Sequence, residues 1–164
     1  MSPELHCPVA LDRIGPQGIV LEVDARSDEL PVIAARLGIV GLEHLHCVFK
    51  LRRIGATVIE AQGALRARVT ETCVVSLDSF DHEVHETFTV HFMPEGSEDD
   101  DPDPEAIDQI PFAGNAVDIG EAAVEQLALT LDPYPRKPGV ALPENLGGEP
   151  PGPFAGLSAL RSRK

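Results

Sequence analysis

The middle of the chain alternates apolar and polar residues over two stretches, which predicts two long β-strands joined as a hairpin. Apolar or small residues recur at every second position of both stretches: Leu45, Cys47, Phe49 and Leu51, then Ala61, Gly63, Leu65, Ala67 and Val69. If residues 55–57 form the loop, Leu51 lies opposite Ala61 and Arg52 lies opposite Glu60. A shift of one residue would turn charged side chains into the core, so the pattern favours this register.

Further strands are predicted on both sides of this hairpin. The segment from His82 to Met93 alternates in the same way, with Val84, Phe88, Val90 and Phe92 on one side. Residues 5–14 and 18–25 are predicted as two shorter strands, separated by a Gly-Pro-Gln-Gly turn. Because consecutive strands are joined by short turns, we expect an antiparallel meander.

Two helices are predicted from apolar residues at helical spacing and from their end signals. The first begins at an N-cap residue, Ser27, and ends at Leu37, before a glycine. The second begins at Asp118, which forms a capping box with Glu121, and ends at Asp132, before a proline. The fold class is therefore α+β: an antiparallel sheet of five to six strands with two helices packed on one face.

Two segments differ from this predicted domain in composition. Residues 95–108 hold eight Asp or Glu and no Lys or Arg, which predicts a mobile acidic loop over about residues 95–110. Residues 133–164 are rich in Pro and Gly and are predicted as a flexible tail after a single domain of residues 1–132. Near its end the tail carries apolar residues followed by cations: Phe154, Leu157, Leu160, Arg161, Arg163 and Lys164. This end could dock on a partner or cover the domain's own core, and the pattern favours docking.

The net charge of −14 at first argues against a nucleic-acid partner, because phosphates repel carboxylates. The charge is unevenly distributed, however. Residues 1–132 carry 8 Lys or Arg against 25 Asp or Glu, whereas residues 133–164 carry 5 against 2. Three widely spaced cysteines are not a disulfide framework, and the sequence shows no secretory signal or membrane span. We therefore expect a cytoplasmic protein.

Cationic side chains gather on one side of the predicted hairpin. Lys50, Arg52, Arg66 and Arg68 all alternate with its apolar residues, so they share a surface. RNA backbones are bound by such surfaces, but an ordinary solvated sheet face with an Arg52–Glu60 pair explains the pattern equally well. No aromatic side chain that could stack on a base lies on this face.

The sequence offers no convincing catalytic or metal site. Cys73 is predicted in the middle of a strand, facing the core with Val75 and Leu77. Histidines at positions 82, 85 and 91 do not complete the four ligands of a closed zinc site. We therefore expect no metal, no other cofactor and no enzymatic activity.

Three motifs, in this order, resemble the YceD family of large ribosomal RNA subunit accumulation proteins. Residues 69–77, Val-Thr-Glu-Thr-Cys-Val-Val-Ser-Leu, are similar to a strand motif with a Cys-x-x-Cys-Leu setting. Residues 117–135 are similar to a family pattern of Ile-Asp-Leu, a helical Glu, Leu-Ala-Leu and prolines. Residues 153–160 are similar to a terminal Asn-Pro-Phe-Ala-x-Leu-x-x-Leu motif. Ser76 stands where many members have the second cysteine, so the resemblance does not carry a paired-cysteine site to this chain.

The resemblance implies a factor that supports accumulation of ribosomal RNA and is linked to a large-subunit ribosomal protein. Its partner would be ribosomal RNA, a pre-ribosomal large subunit or a basic ribosomal protein, and not a membrane; a monomer is the expected form. The candidate contact residues are the four hairpin cations together with Phe154, Leu157, Arg161, Arg163 and Lys164. In the alternative hypothesis the acidic loop binds a basic ribosomal protein and RNA is never contacted.

Overall fold

The structure is a computed structural model that describes residues 4–97 and 107–141. In chain order its elements are β1 (Pro8–Ala10), a 3-10 helix (Leu11–Arg13), β2 (Ile19–Asp24), α1 (Leu30–Leu37), β3 (Gly41–Arg53), β4 (Ile59–Thr72), β5 (Ser79–Pro94), β6 (Asp108–Phe112), β7 (Ala116–Asp118) and α2 (Ile119–Thr130). Five strands form one sheet in the order β2-β3-β4-β5-β6, and β1 pairs with β7 in a separate two-stranded sheet. The fold is α+β, as predicted.

The central hairpin has the predicted register. Leu51 faces Ala61 and Arg52 faces Glu60, and the pairing continues to Gly41 and Thr70 with a bulge near His44. Every second residue of β4 from Ile59 to Glu71 is buried. The alternation of apolar and polar residues was therefore sufficient to fix which face each side chain occupies.

Two strands pair in ways that the meander prediction does not contain. β6 runs parallel to β5, with Val90 opposite Asp108 and Pro94 opposite Phe112. The antiparallel order therefore ends at β5, and β6 begins inside the range predicted as acidic loop. Two parallel strands must be joined by a long crossover connection, so a prediction based on short turns does not include such a pair.

The strand predicted over residues 5–14 is wrong in its extent and in its partner. Its extended part is limited to β1, which pairs with β7 beside the start of α2. Leu11–Arg13 form a 3-10 turn instead of continuing the strand. The Arg53 side chain donates to the carbonyl oxygens of Leu11 and Ile14, and this stabilises the turn.

The first helix is shorter than predicted, whereas the second begins at its predicted cap. Ser27 lies in a turn before α1, and Glu29 is the residue at the helix start, without a side-chain cap. Gly38 ends α1 with φ of 69°, a left-handed conformation that glycine tolerates well. At α2 the Asp118 carboxylate accepts hydrogen bonds from the backbone N–H groups of Gly120 and Glu121.

Both helices contribute to one hydrophobic core with the inward side chains of the sheet. Phe49 and Phe92 are its largest fully buried side chains. Phe88 lies edge-on to Phe49, with ring centroids 5.7 Å apart, above Gly63 of the central strand. The opposite face of the sheet carries the polar positions of each strand.

Candidate functional site

The four cations of the predicted hairpin surface do lie on one exposed face of the sheet. Lys50 and Arg52 project from β3, and Arg66 and Arg68 project from β4 at positions that alternate with buried residues. Arg66 lies opposite His46 and Arg68 lies opposite His44. We refer to this side of the sheet as the polar face.

Carboxylates neutralise Arg68. Its Nε lies 2.8 Å from Glu43 Oε2 and its Nη1 lies 3.0 Å from Glu83 Oε1, while Asp81 is 4.0 Å away. The hydrogen bond to Glu83 and the charge of Glu43 raise the pKa of the Arg68 guanidinium. Arg68 is therefore held within an acidic cluster rather than presented to a phosphate.

Arg52 is also paired, as the hairpin register predicts. Its Nη2 donates to Glu60 Oε1 over 2.8 Å, and the other Glu60 oxygen lies 3.9 Å from His91. Within the part of the chain that the structure describes, Lys50 and Arg66 have no ion-pair partner within 4.0 Å. Among the described Lys and Arg residues of this face, these two remain available to an anion.

Acidic side chains outnumber cations on the polar face. Six carboxylates accompany the four basic residues: Glu22, Asp24, Glu43, Glu60, Asp81 and Glu83. The four residues share a face as predicted, but this face is not cationic as a whole; its contact with RNA stays a prediction. The sequence pattern places residues on a face, but it does not reveal which carboxylates from β2 and β5 lie beside them.

A second cluster surrounds Cys73, which lies just beyond the end of β4 and not in the middle of a strand. The chain turns here, with the Leu77 N–H donating to the Cys73 carbonyl over 2.9 Å. Cys73 is buried as predicted, but Leu77 is 76% exposed and has a φ of 62°. A strand interpretation of residues 69–77 misses the turn that Ser76 and Asp78 signal.

The Cys73 sulfur sits among hydrogen-bond donors. The Ser76 N–H approaches Sγ to 3.4 Å. Hydrogen bonding from the Ser76 side chain and backbone, then from the Lys137 backbone, lowers the pKa of the Cys73 thiol to about 6. Burial instead raises the pKa of the Cys47 thiol to about 12. These hydrogen-bond donors favour the thiolate form of Cys73 over the thiol.

We expect one thiolate to titrate near pH 6 in the folded protein, measured by the ultraviolet absorbance of thiolates across a pH series. The step should vanish in Cys73→Ala and persist in Cys47→Ala. Because the folded pKa lies below the unfolded value of about 8.5, Cys73 stabilises the fold above that value. This contribution is lost as the pH falls through about 6. An unchanged absorbance step in Cys73→Ala would contradict the assignment.

The segment after α2 is attached to this turn. The Val74 N–H donates to the Pro135 carbonyl over 2.9 Å, and Lys137 Nζ lies 3.8 Å from Asp78. The beginning of the predicted tail therefore lies against the domain. Phe154, Leu157, Arg161, Arg163 and Lys164 fall outside the described residues, as do residues 98–106 of the acidic loop.

Neither a metal cluster nor a membrane-spanning helix is found in residues 4–97 and 107–141. No group of three or more His, Cys, Asp or Glu side chains in these ranges is arranged to hold a metal ion. No helix there is long and apolar enough to cross a membrane.

Comparison with known protein families gives a match over more than half of the chain. Residues 61–160 match the model of the family described as large ribosomal RNA subunit accumulation protein YceD. This region covers well over half of the chain and includes Arg66, Arg68 and Cys73, whereas Lys50 and Arg52 precede it. No curated protein and no solved structure matches the chain at a significant level.

Proposed function

Since the chain belongs to the YceD family of large ribosomal RNA subunit accumulation proteins, we propose that it promotes accumulation of that RNA by binding a pre-ribosomal component without turnover. The family match is the observation that carries this function. We place the activity in the cytoplasm, where ribosomal particles of bacteria are assembled. The proposed role is that of an assembly factor rather than an enzyme.

The charge of the described surface favours a basic protein as the component that is bound. The polar face carries six carboxylates and four Lys or Arg side chains, and two of these cations, Arg52 and Arg68, already form ion pairs. The whole chain carries a net charge of −14. Ribosomal proteins are commonly cationic, and complementary charge accelerates and orients association. We therefore propose a basic large-subunit ribosomal protein as the direct partner.

A direct contact with ribosomal RNA is the second candidate, and Lys50 and Arg66 are the observation that favours it. Both are exposed, and neither has an ion-pair partner among the described side chains. Each neutralised phosphate contributes a salt-dependent increment of affinity. Two cations within an acidic face would give only weak binding, which is why this candidate ranks second.

Capture from cell extract at low salt, with and without RNase, distinguishes the two candidates. We expect a large-subunit ribosomal protein to remain bound after RNase treatment, because the proposed contact is between proteins. The variant Lys50→Gln/Arg66→Gln should retain the same partner. A matched control is Arg13→Gln/Arg136→Gln, which removes two exposed cations away from the polar face.

Two results would contradict the proposed protein contact. In the first, RNase releases all ribosomal material from the wild-type chain. In the second, Lys50→Gln/Arg66→Gln loses ribosomal material while the Arg13→Gln/Arg136→Gln control keeps it. Either outcome would establish the RNA contact instead. Absence of any ribosomal component at low salt would overturn the assembly function itself.

A further inference from the structure

A cleft with a buried carboxylate lies at the end of the sheet near Cys73. Its volume is about 510 Å³, within the usual range for ligand sites of roughly 300–1,000 Å³. It is lined by the last residues of both helices, the end of β4 and the segment after α2, including Leu37, Val40, Glu71, Leu131, Asp132 and Pro135. We call it the Glu71 cleft.

Glu71 occupies a position where the strand pattern calls for an apolar residue. It follows Leu65, Ala67 and Val69 on the inward side of β4 and is only 5% exposed. Burying a carboxyl group without a partner is costly, and burial raises the pKa of this one. Residues that destabilise a fold at a core position are often retained because they bind a ligand or partner.

The Glu71 carboxylate has an oxygen that the described protein leaves without a hydrogen bond. His82 Nε2 approaches Glu71 Oε2 to 3.5 Å, but the two atoms are not aligned for hydrogen bonding. The neighbouring Nδ1 of His82 is likewise buried without a hydrogen-bond partner in the described structure. This oxygen is itself enclosed, so a donor that enters the cleft must displace the His82 contact to reach it.

The surroundings of Glu71 favour a cation. Asp132 adds a second carboxylate to the cleft, and the C-terminal turns of α1 and α2, which carry partial negative charge, both border it. Arg36 also lines the cleft, but its guanidinium donates to Glu4 over 2.6 Å and to Glu121 over 2.9 Å. Because two carboxylates already compensate Arg36, it does not neutralise Glu71.

The walls of the cleft match the stem of a long cationic side chain. Leu37, Ile39, Val40 and Leu131 give it apolar surface beside the carboxylate. Lysine and arginine combine a hydrophobic stem with a charged head that is a strong hydrogen-bond donor. A lysine or arginine side chain can therefore bury its stem and satisfy Glu71 at the same time.

We propose that the Glu71 cleft binds a lysine or arginine side chain presented by a basic peptide segment of another protein. The negative charge of the domain supports such a partner, because residues 1–132 carry 25 acidic against 8 basic residues. The inference deepens the proposed function, on which it rests for the source of the peptide. Neither Lys50 nor Arg66 lines this cleft, so the inference concerns a different part of the surface.

The test is calorimetric titration of the full chain with two blocked pentapeptides, Gly-Leu-Lys-Leu-Gly and its analogue with norleucine at the lysine position. We expect the lysine peptide to bind at least about tenfold more tightly. The variant Glu71→Gln should abolish this preference, because it keeps the shape and removes the charge. The matched control Glu125→Gln removes a half-buried carboxyl group that lies outside the cleft and also has a raised pKa, and it should retain the preference.

Folding of Glu71→Gln is checked by its thermal midpoint, which should rise at neutral pH. The folded pKa of Glu71 lies above its unfolded value, so ionisation opposes folding as the pH rises through that window. The gain in midpoint should shrink below the unfolded value of about 4.3. A stable variant that has lost the lysine preference would separate binding from folding.

Several outcomes overturn the proposal. Equal binding of the two peptides by the wild type, or an undiminished preference in Glu71→Gln, removes the role of the carboxylate. Displacement of the peptide by an equal concentration of spermidine would make a free polyamine the ligand. A triple variant, Arg161→Gln/Arg163→Gln/Lys164→Gln, that binds the peptide tenfold more tightly would make the chain's own end the occupant.

The same measurements separate this inference from the proposed function. If the peptide fails to bind while the full chain still captures a basic ribosomal protein from extract, the cleft is not the contact and the assembly function stands. If the peptide binds but no ribosomal component is captured, the assembly function falls and the cation site remains.

Discussion

Replacement of Gly63 by alanine is expected to lower the free energy of unfolding by about 2–3 kcal/mol. A Cβ at this position would lie 2.1 Å from Cζ of Phe88, far inside contact distance. The Phe88 ring would have to swing away from the strand. It would then lose its edge-on contact with Phe49, whose centroid is 5.7 Å from its own.

Chemical denaturation of Gly63→Ala measures this cost, and Gly55→Ala is the matched control. A Cβ at Gly55 meets only Val58, at 3.9 Å, so this variant should change stability little. In the double variant Gly63→Ala/Phe88→Ala the clash is absent, and the two single effects should not add. A Gly63→Ala protein as stable as Gly55→Ala would show that the ring adapts without cost.

Replacement of Gly120 by alanine should also destabilise the protein, by about 2 kcal/mol, although helix propensity predicts the opposite sign. Gly120 lies in the first turn of α2, where alanine would normally gain up to about 1 kcal/mol. Here a Cβ would lie 2.6 Å from the Leu5 carbonyl oxygen and 3.0 Å from the Cys7 nitrogen. Both atoms belong to the backbone, so no rotamer change relieves the contact.

The N-terminal segment cannot simply retreat from a side chain at position 120. The Cys7 N–H donates to Asp118 Oδ1 over 2.9 Å, and the Ile119 N–H donates to the Cys7 carbonyl over 3.1 Å. Moving the segment breaks these bonds at the start of α2. Denaturation of Gly120→Ala, together with amide exchange at Cys7 and Ile119, measures both effects. An increase in stability would show that helix propensity dominates and that the segment moves freely.

Local pattern was sufficient for several parts of the fold because the relevant forces act between near neighbours. Alternation in β3 and β4, with a short loop, fixed the pairing of Leu51 with Ala61. An acidic residue ahead of an apolar helix fixed the cap at Asp118. The same alternation placed Lys50 and Arg66 on one exposed face.

Longer-range pairing was beyond the reach of these signals. β6 pairs in parallel with β5, and β1 pairs with β7. No local sequence pattern indicates that these distant segments pair. The predicted strand through residues 69–77 failed for a related reason. Its apolar residues fit a strand, but the hydrogen bonds of the turn at Cys73 and the contact with Pro135 decide the conformation.

The sequence by itself determined the central hairpin, the second helix and the face on which the cations lie, since period and turn chemistry are local properties. Only the tertiary structure decided that Arg68 is neutralised, because Glu43 and Glu83 reach it from different strands. It also decided that Glu71 is enclosed by two helix ends and the segment after α2. Charge pairing and desolvation depend on which distant segments pack together, and packing is a property of the whole fold.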